Sequence, residues 1–442
     1  MKRKVFISFL GTNNYGLSHY HRGSFRSEEV RYVQEATLQY LHQKEAWTSD
    51  DFAYILLTKM AEQRNWVDNG HTDRGTNEII KAPGLDSLLR QMGIPVQIEP
   101  IRNLPDGNTE EEIWAIFTRI FEKIQDGDRL YFDLTHGYRY LPMLVLVLGN
   151  YAKFLRKDIT IEHISYGNYE GRDRVTNDSL IVDLLPLTML QDWTYAAGQY
   201  VESGDASRLT KLSNQAVRPL MKKAAGGDPN VTKLYHFIKE LDAVTNELRL
   251  CRGVSIIEAN SMKHLRDARA DMNASVIPPL SPILEHVQES LSDFDGEENV
   301  RNAFVAAKWC ASHKLYQQAA TVLQEFIVTY FCEQYGIDWH TEQGRNPVSK
   351  AFATQDKPEE TWILGLGDAA SEEEKDALRG IIRNVHDAPK FNDFSKVYKE
   401  LTELRNDLNH SGMRHNPRKP KDVGSEIDEL IDKVSKILQY GK

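Results

Sequence analysis

Short apolar runs alternate with amphipathic stretches over residues 1–185, and this alternation restricts the fold more than any other feature of the chain. The apolar runs are rich in β-branched or aromatic residues and are bounded by turn residues, which predicts strands. They lie at Val5–Leu10, Phe52–Thr58, Val96–Ile101, Arg129–Leu134, Ile159–Tyr166 and Leu180–Leu185. Helical patterns lie between several of them, at Glu28–Gln43, Leu85–Met92, Glu110–Gln125 and Tyr140–Phe154. Strands that alternate with helices indicate a parallel sheet covered on both faces, so we predict a Rossmann-like α/β domain over residues 1–185.

The pattern changes at about Pro186, where strand signals nearly vanish and amphipathic helical runs continue to the C-terminus. Breaks at Gly226–Pro229 and Pro278–Pro279 predict a helical linker region over residues 186–279 and an all-α domain over residues 280–442. Helices are predicted at Leu187–Glu202, Leu209–Ala225, Val231–Leu250, Ser261–Met272, Glu298–Lys314, Gln317–Tyr335 and Phe394–His410. The segment Asp338–Glu374 contains several Gly and Pro residues and is predicted to be a loop.

A polar turn follows the fourth predicted strand, with the sequence Asp133-Leu134-Thr135-His136-Gly137-Tyr138-Arg139. A turn between a strand and a helix lies where an open α/β sheet binds anionic ligands. The N–H groups and the dipole of the next helix favour negative charge there. Thr135, His136 and Arg139 add a hydroxyl, a ring nitrogen and a bidentate phosphate donor. The turn therefore predicts a site for a phosphate-bearing ligand; the alternative is that Asp133 caps the helix and Arg139 pairs with a surface carboxylate.

Other predicted strands also end in polar residues. The loop Gly11–Tyr15 follows the first strand, Thr58 and Lys59 end the second, and Asn168 follows the fifth. Glycine lets a backbone approach a ligand, and an Asn side chain can bond a base edge or a phosphate. An ordinary polar loop or a solvated lysine would explain each segment alone. Together with the polar turn, these segments predict one ligand site made of Gly11, Thr12, Asn13, Asn14, Tyr15, Thr58, Lys59, Thr135, His136, Gly137, Arg139 and Asn168.

A second candidate site lies at the end of the last predicted helix, in the sequence Arg405-Asn406-Asp407-Leu408-Asn409-His410. Such a pair of Arg and His suits RNA cleavage without a metal. A His exchanges a proton near neutral pH, an Arg stabilises charge that gathers on phosphorus, and RNA supplies its own 2′-hydroxyl as nucleophile. The alternative is a helix-terminal His near the negative end of the helix dipole, with a solvated Arg.

Composition and missing motifs exclude several classes of protein. The formal net charge of −10 argues against a protein that coats duplex nucleic acid without specificity. The chain has no dinucleotide fingerprint, Walker loop or serine nucleophile elbow. His19-Tyr20-His21 lacks further ligand residues at metal-binding spacing, so no metal site is predicted. The three widely spaced cysteines are expected to be free thiols in a reducing cytoplasm. The N-terminal apolar run ends at Leu10, too early for a signal peptide.

The two candidate motifs, in this order on one chain, resemble those of the CRISPR-associated ribonucleases that join a CARF sensor domain to a HEPN nuclease domain. The polar turn matches the family's Asp-x-Thr-x-Gly-x-Arg pattern at Asp133–Arg139, and the loop Gly11–Tyr15 follows the first strand. Arg405 and His410 match the Arg-x-x-x-x-His signature of HEPN ribonucleases, with Asn406 in its frequent second position. The resemblance covers most of the chain.

The resemblance implies a single-stranded RNA endoribonuclease of type III CRISPR antiviral defence, without a metal or cofactor. A cyclic oligoadenylate, the tetra-adenylate or alternatively the hexa-adenylate, would bind across the CARF domains of a homodimer and activate a composite site made by both chains. There, His410 would act as general base or acid, Arg405 would stabilise the phosphorane-like charge, and Asn406 would orient the phosphate or His410. The products would carry a 2′,3′-cyclic phosphate and a 5′-hydroxyl.

Two other classes of function stay open on the sequence. One is a ligand-gated regulator whose helical domain binds a partner or a nucleic acid without cutting it. The other is a sheet-based enzyme acting on a small molecule, with a helical dimerisation domain. The sequence also leaves open the ring size of the activator, the RNA preference, assembly beyond a dimer, and whether Thr135 and His136 degrade the activator.

Overall fold

The computed structural model describes residues 2–137, 139–218, 229–270, 279–365 and 371–439. The chain forms two compact units, Met1–Met189 and Leu190–Lys442. Tyr138 of the polar turn, and the breaks predicted at residues 226–228 and at Pro278, lie outside the described residues.

The first unit is built on an eight-stranded sheet with the strand order β3-β2-β10-β9-β8-β1-β4-β7. Its strands are β1 Lys4–Phe9, β2 Ser18–Arg22, β3 Phe25–Val30, β4 Phe52–Thr58, β7 Gln97–Leu104, β8 Arg129–Asp133, β9 Thr160–Asn168 and β10 Asp178–Asp183. The short strands β5 His71–Thr72 and β6 Ile79–Ile80 pair separately. The helices are α1 Val33–Lys44, α2 Lys59–Ala61 with a π-helical continuation Glu62–Trp66, α3 Leu85–Gln91, α4 Glu110–Phe121 and α5 Leu141–Leu155.

Strand β1 lies at the centre of the parallel part of the sheet, between β4 and β8. All six of its residues are buried, and they alternate between the two faces: Val5 and Ile7 pack into one core cluster and Phe6 into the other. The strand order β7-β4-β1-β8-β9 reverses direction between β1 and β8. In an open α/β sheet this reversal opens a crevice at the carboxyl ends of the two strands, where ligands bind.

The predicted fold class, a Rossmann-like unit followed by an all-α region, is confirmed, but one edge of the sheet differs from the prediction. The start of the predicted helix Glu28–Gln43 is wrong, because Phe25–Val30 forms strand β3 in an antiparallel hairpin with β2. The connection is the two-residue turn Gly23-Ser24, where Gly23 has φ +58°. Strand β10 then joins the hairpin to β9, parallel to β2 and antiparallel to β9.

The second unit is helical. Helix α6 Leu185–Ser203 begins just before it, and its other helices are α7 Ser207–Leu212 with a π-helical continuation Ser213–Val217, α8 Pro229–Arg249, α9 Gly253–Glu258, α10 Asn260–Ala270, α11 Leu280–Glu289, α12 Arg301–Ser312, α13 Tyr316–Gln334, α14 Glu342–Thr354, α15 Glu372–His386, α16 Phe391–Asn409 and α17 Pro420–Leu438. A 3₁₀ turn occupies Glu359–Thr361. The described helices include none with the length and hydropathy to cross a membrane.

The loop predicted at Asp338–Glu374 is wrong over much of its length, because it contains α14. A loop was expected there because Gly344 and Pro347 have unfavourable helix propensities. The Thr341 hydroxyl accepts a hydrogen bond from the Gly344 N–H at 3.1 Å and caps the helix, while Val348, Ala351 and Phe352 bury its inner face. Tertiary burial therefore outweighs the unfavourable helix propensity of the two residues.

Candidate functional site

A cavity of about 240 Å³ lies at the carboxyl ends of β1 and β8. Its lining includes side chains or backbone from the loops after both strands and from the end of β4. The predicted residues that line it are Gly11, Thr12, Asn13, Tyr15, Thr58, Thr135, His136 and Gly137. The structure therefore brings most of the predicted ligand residues of the first unit together at the point where the strand order reverses.

The loop after β1 is held in place by Asn65, a residue that the sequence analysis missed. Asn65 is fully buried, and its Nδ2 donates hydrogen bonds to the carbonyl oxygens of Gly11 at 2.9 Å and Asn13 at 2.8 Å. Arg31 adds a hydrogen bond from Nη1 to the carbonyl oxygen of Tyr15 at 2.9 Å. These bonds satisfy carbonyl groups of the loop and fix its shape before any ligand binds.

The loop after β8 is tied down through the buried carboxylate of Asp133. The Thr135 hydroxyl donates to Asp133 Oδ1 at 2.5 Å and accepts from the Gly167 N–H at 2.7 Å. The Ser8 hydroxyl donates to Asp133 Oδ2 at 2.7 Å, and Gln34 Nε2 in turn donates to Ser8 Oγ at 3.0 Å. Burial raises the pKa of Asp133 from 3.8 to about 6, against the opposing effect of the Thr135 and Ser8 hydrogen bonds. The network therefore joins β1, β8 and β9 beneath the cavity.

Two aromatic rings that line the cavity, one from each loop, stack on each other. The Tyr15 and His136 ring centroids are 4.0 Å apart with an interplanar angle of 29°. Burial lowers the pKa of His136 from 6.5 to about 4, so its ring is neutral at physiological pH. Among the described residues, His136 Nε2 is buried without a hydrogen-bond partner. A neutral ring with an unused nitrogen suits an uncharged hydrogen-bonding group, such as a base edge, better than a phosphate.

The backbone of Gly137, in the polar turn, requires glycine. Its φ is +129°, in a region that side chains rarely adopt. A Cβ at this position would also overlap the Leu141 side chain at the start of α5. Gly137 therefore permits a close approach between this loop and Leu141, the first residue of α5.

The remaining predicted ligand residues lie outside the cavity lining. Asn14 Oδ1 accepts a hydrogen bond from Arg31 at 3.1 Å, and Asn168 Oδ1 accepts one from the Gly171 N–H at 3.1 Å. Lys59 and Arg139 are exposed, each at or next to the start of a helix. Thr58, which does line the cavity, also caps α2, because its hydroxyl accepts from the Ala61 N–H at 3.2 Å.

The second candidate motif lies at the end of α16. Arg405 is in the last turns of the helix, half-buried, and its Nε is a buried atom without a hydrogen-bond partner among the described residues. Helix α16 ends at Asn409, and His410 is the exposed residue that follows, with φ −94° and ψ 18°. Asn406 is exposed, whereas Asp407 is buried. A regular helix rotates about 500° over five residues, so Arg405 and His410 would leave it about 140° apart.

No group of three or more His, Cys, Asp or Glu side chains in the described ranges is placed to hold a metal ion. His19 and His21 belong to strand β2, where His19 Nδ1 is within hydrogen-bond distance of the Ser27 carbonyl oxygen, 3.1 Å. Cys251, Cys310 and Cys332 are free thiols.

Two comparisons with known proteins agree with this arrangement. A family model described as the CARF domain of the CRISPR system endoribonuclease Csx1 matches residues 5–170, a range that includes both loops of the cavity. The chain is also similar to CRISPR-associated protein MJ1674 of Methanocaldococcus jannaschii, with 22% identity over 332 residues, which is 73% of this chain. The match covers 43% of that relative, so the chain spans less than half of its length.

Proposed function

We propose that the chain is a CRISPR-associated protein with a CARF domain in its first unit, and that it is an endoribonuclease of type III CRISPR defence activated by a cyclic oligoadenylate. The match of residues 5–170 to the CARF family model and the similarity to a CRISPR-associated protein support this proposal. In this proposal the first unit binds the activator, and the second unit cuts single-stranded RNA without a metal. Cyclic tetra-adenylate is the proposed activator, and the hexa-adenylate is the alternative.

The observation that carries the proposal is the cavity between the β1 and β8 loops, whose chemistry fits an adenine nucleotide. The Tyr15–His136 pair offers aromatic faces on which a base can stack. The neutral His136 ring can hydrogen-bond a base edge, while the N-terminus of α5 and the exposed Arg139 suit the adjoining phosphate.

The size of the cavity supports binding by two copies of the chain. Its volume of about 240 Å³ is below the range of about 300–1,000 Å³ typical of sites for drug-sized molecules, so one copy holds roughly one nucleotide of a ring. In a symmetric dimer, two equivalent cavities would hold two equivalent parts of the ring.

An exposed apolar face on α5 supplies a surface for such a dimer. Met143, Val147, Tyr151 and Phe154 recur at helical spacing on this helix and are 67%, 48%, 43% and 86% exposed. Contiguous exposed apolar side chains of this kind mark interaction surfaces. Because α5 starts directly after the polar turn, pairing through this face would bring the two cavities near each other.

RNA cleavage is assigned to Arg405, Asn406 and His410. His410 takes or gives a proton, Arg405 stabilises the charge on the phosphorus, and Asn406 orients the phosphate or the His410 ring. The unpartnered Nε of Arg405 and the exposed ring of His410 support this assignment, since both groups have hydrogen-bonding capacity that α16 does not use. In the proposed dimer, each chain contributes these residues to one composite site.

The second candidate function is a ligand-gated regulator that binds nucleic acid or a partner without cutting it. A labelled single-stranded RNA incubated with the protein, with and without each cyclic oligoadenylate and with EDTA present, separates the two. The ribonuclease proposal expects cleavage only with an activator, giving 2′,3′-cyclic phosphate ends. Activator binding without any cleavage would instead support the regulator, and cleavage that is independent of activator would contradict the switch.

A further inference from the structure

Residues 410–421, which follow α16 and include the first two residues of α17, are strongly basic, and we call them the basic segment. It contains no Asp or Glu, although the whole chain carries a formal net charge of −10. Its cationic residues are Arg414, Arg418, Lys419 and Lys421, together with His410 and His415. This local concentration of positive charge begins at the proposed catalytic His410.

Folding alone does not account for the two lysines of the basic segment. Lys419 is the N-cap of α17, where its side chain makes no capping hydrogen bond, and Lys421 lies in the first turn of that helix. A helix N-terminus carries partial positive charge, so cations there oppose the helix dipole. Both side chains belong to exposed residues, and none of the ion pairs found among the described residues uses either of them. These lysines are therefore available to an anionic partner.

The buried Asp407 gives the basic segment a fixed shape. Its carbonyl oxygen accepts from the Gly412 N–H at 2.8 Å, and its carboxylate oxygen Oδ2 accepts from the Arg418 N–H at 3.3 Å. Arg414 Nε lies 3.8 Å from Asp407 Oδ1. Arg418 is committed within the protein, because its Nε donates to Glu426 Oε2 at 2.7 Å. Lys419 and Lys421 remain as exposed cations without an ion pair among the described residues, and Arg414 is also exposed although it lies near Asp407.

We propose that Lys419 and Lys421, assisted by Arg414, bind the phosphates of the single-stranded RNA beside the bond that is cut. This inference rests on the proposed function and adds to it the site that positions the substrate. Lysine binds phosphate as a point charge without regard to sequence, which suits an RNA groove with little base specificity. Met413, 87% exposed in the same segment, offers an apolar surface to an unstacked base. Since His410 starts the segment, RNA held there lies next to its ring.

The test compares Lys419→Ala/Lys421→Ala with Lys396→Ala/Lys399→Ala in the full chain. Lys396 and Lys399 are exposed on α16, about 15–20 Å before its end, so the control removes the same charge from the same unit. Cleavage of a uridine-rich single-stranded RNA is measured with cyclic tetra-adenylate over a range of salt concentrations. We expect Lys419→Ala/Lys421→Ala to raise the KM by about tenfold, with kcat nearly unchanged. We also expect the slope of log affinity against log salt concentration to become shallower by about 0.7 for each lost phosphate contact. The control should change neither quantity.

Equal KM values and salt slopes for the two double variants would overturn the inference while leaving the ribonuclease proposal intact. If the wild-type protein cuts no RNA, the proposed function is wrong. The RNA-binding role of the basic segment is then tested by RNA affinity alone. For that, both lysine pairs are replaced in a His410→Ala background and RNA affinity is measured by fluorescence anisotropy. Weaker binding by the segment variant alone would still support the RNA site. Equal binding by the two variants, or no binding by the His410→Ala protein, would overturn it.

Discussion

The ligand cavity of the first unit and the Arg405–His410 motif of the second differ in how complete they are within one chain. Beneath the cavity, Asp133, Thr135, Ser8 and Asn65 form hydrogen bonds that shape both loops. At the end of α16, by contrast, His410 is exposed, and Arg405 Nε is a buried atom without a partner among the described residues, as His136 Nε2 is in the cavity. Under the proposed function, the hydrogen-bonded loops of the first site are shaped within one chain, whereas the second site would be completed by groups from a second chain.

Arg405 of the second region is a residue whose loss should slow RNA cleavage strongly. We expect Arg405→Ala to lower kcat for activator-dependent RNA cleavage by about 10²–10³-fold, because a charged donor at the developing oxyanion is lost. Initial rates with labelled RNA at saturating activator check this. Arg379→Ala is the control, because Arg379 belongs to the same unit and only pairs with Asp376 one turn away. Similar rates for the two variants would remove Arg405 from the site.

The next effect tests whether the first region needs a second copy. We expect Val147→Glu to weaken dimerisation by about a hundredfold, because a symmetric interface would bring two copies of the added charge together. Sedimentation equilibrium measures the dimer, and calorimetry measures binding of cyclic tetra-adenylate, which should weaken with it. Lys157→Glu, exposed just beyond α5, is the control. A dimer that tolerates Val147→Glu would place the interface elsewhere.

A smaller effect tests the hydrogen-bond network beneath the cavity. Thr135→Val keeps the shape of the side chain but removes a donor from Asp133 and leaves the Gly167 N–H without its acceptor. We expect a loss of about 1–3 kcal/mol in the free energy of opening, measured by hydrogen exchange of β8 and β9 amides. Thr118→Val is the control, because its hydroxyl only bonds the Trp114 carbonyl within α4.

The loss in Thr135→Val should depend on pH. The pKa of Asp133 is about 6 in the folded chain and 3.8 as its ordinary value, so between these values the folded protein holds a proton that the unfolded chain lacks. Stability from this group therefore falls as pH rises through that window. Removing the Thr135 hydroxyl raises the pKa of Asp133 further. The loss of stability in Thr135→Val, relative to the wild type, should therefore grow from pH 4 to pH 7. A stability loss that stays the same from pH 4 to pH 7 would contradict ionisation of Asp133 between these pH values.

The aromatic pair of the cavity should contribute to activator binding through the face of the Tyr15 ring. We expect Tyr15→Ala to weaken cyclic tetra-adenylate binding by about 1–3 kcal/mol, the value of one base stacked on an aromatic ring. Tyr15→Phe keeps the ring and should bind nearly as the wild type does. If both variants bind equally weakly, the hydroxyl rather than the ring face carries the contact.

The sequence predicted the elements that local patterns determine. Apolar runs located β1, β4 and β8, and therefore also the polar loops at their carboxyl ends. The Gly23-Ser24 hairpin was missed because Glu28 and Glu29 in β3 are typical of a helix start, although a two-residue turn with Gly was its available signal. Helix α14 was missed because Gly344 and Pro347 are read as breaks.

The polar partners of the site could not be predicted in the same way. Asn65 bonds Gly11 of the loop after β1 from 54 residues away in the chain, Gln34 bonds Ser8 of β1 from 26 residues away, and neither residue lies in a motif. Their positions depend on how α1 and the segment after β4 pack on the sheet, which no local pattern contains. The pairing of Arg405 with His410 stays a prediction from the resemblance.

The most direct test of the account is one preparation of His410→Ala assayed for two properties. Binding of cyclic tetra-adenylate is measured by calorimetry, and activator-dependent cleavage of labelled RNA is measured on the same sample, with His286→Ala, an exposed His of α11, as the control. We expect unchanged activator binding and a loss of cleavage of about 10²–10⁴-fold, the usual value of a general acid or base. Cleavage that survives in His410→Ala at the wild-type rate would contradict the account.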